Sequence, residues 1–112
     1  MQEISRQQVI RLMFKTKACL VEVLPEQNYR SAHLPGAINV PFNDEFDQHV
    51  QFATPDKNVP VVVYCADSEC RLSPQAAEHL DRLGYTKVFD YKAGKADWQQ
   101  AGLQVERGAA PA

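Results

Sequence analysis

The sequence contains few cysteines, no long apolar run and no surplus of positive charge, and each shortage excludes a class of protein. Its 112 residues include only three cysteines, Cys19, Cys65 and Cys70. An odd number this small does not supply the disulfide framework of a small secreted domain. A reducing, cytoplasmic setting is therefore expected, in which free thiols persist and often carry chemistry.

Membrane and nucleic-acid partners are not expected either. The longest apolar run, residues 59–66, is far shorter than the ~20 residues that a membrane-spanning helix needs. The amino-terminal residues lack the charged and then apolar pattern of a secretory signal. Twelve basic residues are outnumbered by fourteen acidic ones, which gives a net charge of −2 and no basic footprint for nucleic acid.

The remaining composition is that of one ordinary globular domain. Hydrophobic residues make up 45% and charged residues 23% of the chain, and a chain of this length can bury a core without metal or disulfide support. The histidines and cysteines show no spacing typical of a metal site, so we expect neither a metal nor a cofactor. We predict a single domain over residues 1–107, a flexible tail over 108–112, and a monomer or weak dimer.

Short apolar runs alternate with amphipathic segments along the chain. The apolar runs predict strands over residues 18–23, 37–40, 59–64 and 87–91. Strands that alternate with helices predict an α/β fold with a mainly parallel sheet. The run that ends at Tyr64 is apolar throughout, which is typical of a strand covered on both faces.

Helix signals fall between these strands. Ser5 and Gln8 have the spacing of a capping box at the start of a first helix. Ser73 is expected to cap a second helix, with Pro74 at its first position. Residues 44–52 are expected to form a helix or an irregular turn, and a short last helix is expected over residues 95–101.

Cys65 stands where an α/β fold places its chemistry. It follows the most apolar strand and opens the loop that leads to Ser73. Ligands in such folds bind beyond the carboxyl ends of the strands, and loop amides ahead of a helix favour an anion such as a thiolate. Cys65 is therefore either a reactive nucleophile or a small buried hydrophobic residue at a strand end, and spacing alone leaves both interpretations open.

Three segments resemble the signature motifs of the rhodanese-like sulfurtransferase family. The first contains Tyr29, His33 and the Pro-Gly-Ala at residues 35–37, in the stretch VEVLPEQNYRSAHLPGAINVP. The second is the strand and loop VVVYCADSEC with the helix that follows it, and the third is the ending GKADWQQAGLQVE. They occur in the family's order and together extend over residues 20–106, nearly the whole chain.

The resemblance implies a rhodanese-like three-layer α/β fold, with a central five-stranded, mainly parallel sheet flanked by helices. It also implies that Cys65 is the catalytic residue, which takes sulfane sulfur as a persulfide from a thiosulfate, persulfide or polysulfide donor. The sulfur then passes to a thiol or another nucleophile. The partners are accordingly a small sulfur donor and a thiol or protein persulfide. The residues implied to bind the donor are those of the loop, Ala66, Asp67, Ser68, Glu69, Cys70 and Arg71.

The chain departs from the family pattern in this loop. Arg71 is six residues after Cys65 and Ser73 is eight residues after it, so the loop is about two residues longer than in common single-domain members. A cysteine, five residues and an arginine is also the spacing in phosphatases and arsenate reductases of the same superfamily. Phosphoryl or arsenate chemistry is therefore an alternative function, and a non-catalytic binding or sensing module is another.

Charge in the loop favours sulfur over phosphoryl chemistry. Asp67 and Glu69 place two carboxylates beside Arg71, whereas a phosphate dianion needs several donors and net positive charge. Thiosulfate is also a dianion, so a less charged persulfide donor fits the loop better. Arg71 itself either binds the anionic part of a donor or is a solvated surface charge.

Cys70 has two interpretations as well. As a resolving thiol it would attack a Cys65 persulfide, release sulfide and leave a disulfide, or it would protect Cys65 from over-oxidation. Otherwise it is a partly buried residue that packs the longer loop. The choice depends on whether the loop brings the two Cβ atoms to about 4 Å from each other.

The charges near the predicted pocket also differ from the family pattern. The family's Asp-Val-Arg is Glu-Val-Leu at residues 22–24 here, and its later acid is Asn28. Because both ends of an Arg–acid pair are absent together, we expect no lone charge to remain. Lys92 and Lys95 follow the last predicted strand, and we expect both to be solvated.

Overall fold

The computed structural model describes residues 1–109 and contains one sheet of five parallel strands. The strands are β1 Gln2–Glu3, β2 Cys19–Glu22, β3 Ile38–Asn39, β4 Val61–Tyr64 and β5 Val88–Tyr91. Their order across the sheet is β1-β5-β4-β2-β3, and every neighbouring pair is parallel. The predicted α/β fold with a five-stranded parallel sheet is confirmed.

Five helices alternate with the strands in the described chain, and the last of them follows β5. They are α1 Arg6–Lys15, α2 Glu26–Ser31, α3 Phe46–Ala53, α4 Leu72–Arg82 and α5 Gly94–Gln100. The capping box predicted for α1 is present, because the Ser5 hydroxyl accepts the Gln8 amide while the Gln8 side chain accepts the Ser5 amide. Residues 44–52, left open between a helix and a turn, contain most of α3.

The helices cover both faces of the sheet and create two cores. Successive residues of a strand point to opposite faces, so Val61 and Val63 pack with α3 and α4, whereas Val62 and Tyr64 pack with α1 and α5. All four residues of β4 are 0% exposed, and burying each valine contributes roughly 1.5–3 kcal/mol. This three-layer arrangement explains why β4 is apolar throughout.

Helix α4 begins earlier than the sequence indicates, so the prediction that Ser73 caps it is wrong. Arg71 occupies the N-cap position without a side-chain cap, and Ser73 is the second helical residue. The tight turn before the helix ends at Cys70, and Leu72 packs partly against the core. Pro74 fits at the third position because the first N–H groups of a helix have no intrahelical partner.

Two elements have no clear signal in the sequence. β1 has two exposed residues, and its place in the sheet depends on pairing with Phe89 and Asp90 of β5. α2 has six residues, of which only Tyr29 is buried. Elements this short gain their stability from tertiary contacts rather than from local propensity.

Three further features are the carboxyl-terminal tail, the capacity of the helices to span a membrane and the capacity of the side chains to hold a metal ion. The predicted tail over 108–112 falls mostly outside the described residues, and at its start the Gly108 amide donates to the Arg30 carbonyl. Within residues 1–109, the helices are too short and too polar to cross a bilayer. The same residues contain no group of three or more His, Cys, Asp or Glu side chains that could hold a metal ion.

Candidate active site at Cys65

Cys65 lies at the carboxyl end of β4, near the middle of the sheet. β4 is flanked by β5 and β2, so Cys65 is in the crevice where parallel α/β sheets bind their ligands. The residue is 1% exposed and packs in the core beneath α3 and α4. The structure therefore places the predicted nucleophile where the sequence predicts it, with little of its surface open to solvent.

A disulfide joins Cys65 to Cys70, with 6.4 Å between their Cα atoms. The chain between them reverses in a tight turn, in which the Cys70 amide donates to the Asp67 carbonyl at 3.1 Å. The Asp67 carboxylate accepts the Glu69 amide at 3.0 Å, a bond typical of aspartate at the first position of a turn. The extended loop thus brings the two sulfur atoms together, while the resolving role of Cys70 stays a prediction.

Some amides of the loop donate hydrogen bonds within the turn, and others have no acceptor within residues 1–109. Those of Glu69 and Cys70 are used within the turn, so the loop amides do not all converge on Cys65 as expected from the sequence. Those of Ala66, Asp67, Ser68 and Arg71 donate to no acceptor in the described part of the chain. The three of them that follow Cys65 directly in the chain, at residues 66–68, are available to an anion there.

The amino-terminal end of α5 holds the backbone at Cys65 and at the residue that follows it. The Lys95 amide donates to the Cys65 carbonyl at 2.9 Å, and the Ala96 amide donates to the Ala66 carbonyl at 2.8 Å. Gly94 has a φ of +71°, and a Cβ on it would lie 2.7 Å from the Cys65 carbonyl oxygen. Sequence reasoning missed this role of Gly94, although the residue opens one of the motifs that carry the family resemblance.

A buried ion pair anchors the same end of α5, and the expectation that Lys95 is solvated is wrong. The Lys95 ammonium contacts the Glu22 carboxylate at 3.0 Å and donates to the carbonyls of Asn28 and Ala32 at 3.0 and 2.7 Å. Glu22 is 0% exposed and Lys95 is 8% exposed, so Lys95 is not solvated. Glu22 requires this cation, because an unpaired buried carboxylate is very costly.

Comparison with known proteins assigns the family. The rhodanese-like domain family matches residues 5–101. The chain belongs to this family. Among the solved structures similar to it is a rhodanese with anions from E. coli, which is 34% identical and superposes with a TM-score of 0.69 over 81% of this chain and 99% of the other.

Curated relatives of the rhodanese-like chain include both enzymes and a regulator. The HTH-type transcriptional regulator Rv0324 of Mycobacterium tuberculosis is 32% identical over 95% of this chain and 45% of its own length. The thiosulfate sulfurtransferase PspE of Escherichia coli is 46% identical over 58% of this chain and 59% of its own. The thiosulfate sulfurtransferase GlpE of Tolumonas auensis is 31% identical over 86% of each chain. The chain therefore spans about half the length of the first two.

The charged loop residues of this rhodanese-like domain face solvent. Asp67, Ser68, Glu69 and Arg71 are exposed, and Arg71 forms no ion pair within residues 1–109. Ala66 and Cys70 are half-buried. The role of Arg71 in donor binding accordingly stays a prediction, and the two carboxylates remain unneutralised at the mouth of the site.

A buried carboxyl lies on the same face of the sheet as Cys65. Asp90 pairs with Val63, is 1% exposed, and has no hydrogen-bond partner for either oxygen within the described chain. Burial raises its pKa, against the opposing effects of the Ser73 hydroxyl and the Lys92 ammonium. A raised pKa means that burial makes ionisation of Asp90 more costly than that of an exposed carboxyl.

Proposed function

We propose that the protein is a sulfurtransferase that carries sulfane sulfur as a persulfide on Cys65. The observation that carries the proposal is the position of Cys65, at the carboxyl end of the central strand beside three unpaired loop amides. The thiosulfate sulfurtransferases PspE and GlpE support it, because GlpE matches over most of both chains.

The chemistry needs only the reduced form of Cys65 and the loop. The Cys65 thiolate attacks the outer sulfur of a donor, the sulfur–sulfur bond of the donor breaks, and the leaving group departs with the electron pair. The persulfide that results carries its negative charge on the terminal sulfur. The amides of Ala66, Asp67 and Ser68 have no other acceptor in the described chain and stabilise that charge. An acceptor nucleophile then takes the terminal sulfur and Cys65 leaves as thiolate.

Sulfur loading tests the proposal. Reduced Cys70→Ser protein, in which no neighbouring thiol consumes a persulfide, is treated with polysulfide or benzenethiosulfonate. We expect intact mass to show one added sulfur atom, and peptide mapping to place it on Cys65. The Cys65→Ser/Cys70→Ser variant should take up none. Cys19→Ser is the control, since Cys19 lies at the opposite, amino end of β2. Loading that persists without Cys65, or fails in Cys70→Ser, would overturn the proposal.

We expect kcat/KM for a donor to depend on the charge of that donor. Asp67→Asn removes one negative charge and keeps the oxygen that accepts the Glu69 amide. Two like unit charges about 7 Å apart in water repel each other by about 0.6 kcal/mol. Removing one loop charge should therefore raise kcat/KM about threefold for benzenethiosulfonate, a monoanion. For thiosulfate, a dianion, the repulsion is twice as large and kcat/KM should rise roughly sevenfold. Steady-state kinetics at low salt measure both ratios. Exposed Glu78 on α4 supplies the control Glu78→Gln, and equal changes for the two donors would contradict the charge argument.

Thiol-based sensing is a second candidate function, favoured by one observation. Cys65 is bonded to Cys70 and is 1% exposed, an arrangement that also suits a module which reports oxidation by closing a disulfide. Reduced protein that closes the disulfide with an oxidant but accepts no sulfur from any donor would favour sensing.

The phosphoryl and arsenate alternative has less support, because the two loop carboxylates stay exposed beside Arg71.

A further inference from the structure

We propose that Cys70 attacks the Cys65 persulfide, so that the protein releases sulfide and closes its own disulfide. This activity, reduction of sulfane sulfur to sulfide, rests on the proposed function, which supplies the persulfide. The inference goes beyond sulfur transfer because the acceptor is a thiol of the same loop rather than an external nucleophile.

The turn between the two cysteines is the first support. The bonds from the Cys70 and Glu69 amides to Asp67 fold the loop back on itself, which brings Cys70 to Cys65 with 6.4 Å between Cα atoms. That separation is within the range at which two cysteines bond without backbone movement. The loop conformation itself therefore places Cys70 beside Cys65, and no other segment of the chain has to move.

The remaining thiol of the chain does not compete. Cys19 pairs with Val61 at the start of β4, whereas Cys65 follows the end of that strand, so roughly 13 Å separates them at about 3.3 Å per residue. Cys70 in a short loop has an effective concentration on the order of millimolar or more. An external thiol present at micromolar concentration reaches the persulfide more slowly.

The step balances with the groups that the protein and donor supply. The Cys70 thiolate attacks the inner sulfur, which is Sγ of Cys65, and the bond between that sulfur and the outer sulfur breaks. The outer sulfur leaves with the electron pair and, with a proton from water, becomes hydrosulfide. The two cysteines are oxidised to the disulfide while the sulfane sulfur is reduced to sulfide.

Return to the dithiol form needs a reductant of the dithiol class, whether a protein or a small molecule. Cys65 is 1% exposed and Cys70 is half-buried, so the incoming thiolate attacks Cys70. Cys65 is then the leaving group, and its thiolate departs next to the free loop amides. The mixed disulfide forms on Cys70, and the second thiolate of the reductant attacks its own sulfur in that bond, which releases Cys70 as thiolate and leaves the reductant as a disulfide.

A single turnover tests the inference. Reduced wild-type protein, separated from its reductant, receives one equivalent of benzenethiosulfonate, which contains no sulfide and leaves as benzenesulfinate. We expect about one sulfide per chain and a product mass that shows the disulfide without added sulfur. Cys70→Ser should keep the added sulfur and release no sulfide until a thiol is supplied, and Cys19→Ser should behave as wild type.

A second pair of variants tests the turn itself. Asp67→Ala removes the acceptor of the Glu69 amide and should slow sulfide release from the loaded protein several-fold, whereas Asp67→Asn keeps that acceptor and should slow this step much less. Wild-type protein that retains its persulfide as Cys70→Ser does would overturn the inference and leave sulfur transfer intact. Absence of loading in Cys70→Ser would instead overturn the proposed function, and the inference with it.

Discussion

Replacing Lys95 by methionine should destabilise the protein by roughly 3–5 kcal/mol, because it leaves the Glu22 carboxylate buried without a cation. Glu22 is 0% exposed, and one of its oxygens already lacks a hydrogen-bond partner within the described residues. The carbonyls of Asn28 and Ala32 lose the Lys95 ammonium as a donor in the same substitution. Urea unfolding followed by circular dichroism measures the change.

Two further variants separate the ion pair from the loss of a long side chain. Glu22→Leu/Lys95→Met replaces both charges by apolar groups and should recover much of the loss, since a buried pair exchanged for hydrophobic residues is often nearly neutral. Lys17→Met, at an exposed lysine without an ion pair in the described chain, should change stability by less than about 0.5 kcal/mol. A double variant less stable than Lys95→Met would contradict the expected coupling.

Replacing Gly94 by alanine should destabilise the protein by roughly 2–5 kcal/mol, the sum of a left-handed backbone penalty and overpacking. The new Cβ would lie 2.7 Å from the Cys65 carbonyl oxygen and 2.9 Å from the Asp67 amide nitrogen. Both are backbone atoms of the active-site loop, so they cannot turn away as a flexible side chain would. We also expect slower sulfur loading of Cys65, because relief of the contact displaces the loop.

Gly102 provides the matched control for this substitution. Its φ of +75° is close to that of Gly94, but a Cβ there would meet nothing within 4 Å. Gly102→Ala should therefore show only the backbone penalty of ~1–2 kcal/mol, with normal loading. Unfolding curves and sulfur-loading rates of both variants test this expectation. Equal effects at the two glycines would show that the close contact between α5 and the loop contributes neither to stability nor to loading.

Local signals in the sequence predicted a large part of the fold. The capping box at Ser5, the unbroken apolar run before Cys65 and the breaks at proline and glycine depend on neighbours within a few residues. For that reason they located four of the five strands and α1. The start of α4 was misplaced because the position of Leu72 depends on the core it packs against, not on its neighbours.

The sequence by itself determined the fold class, the family resemblance and the position of Cys65 at the end of the central strand. Only the tertiary structure decided that Lys95 is buried against Glu22, that Gly94 contacts the backbone beside Cys65, and that Cys70 meets Cys65. The physical reason is range: alternation and capping act between neighbours in the chain. Lys95 and Glu22, in contrast, are 73 positions apart, and burial of their charges depends on how α5 packs against the sheet.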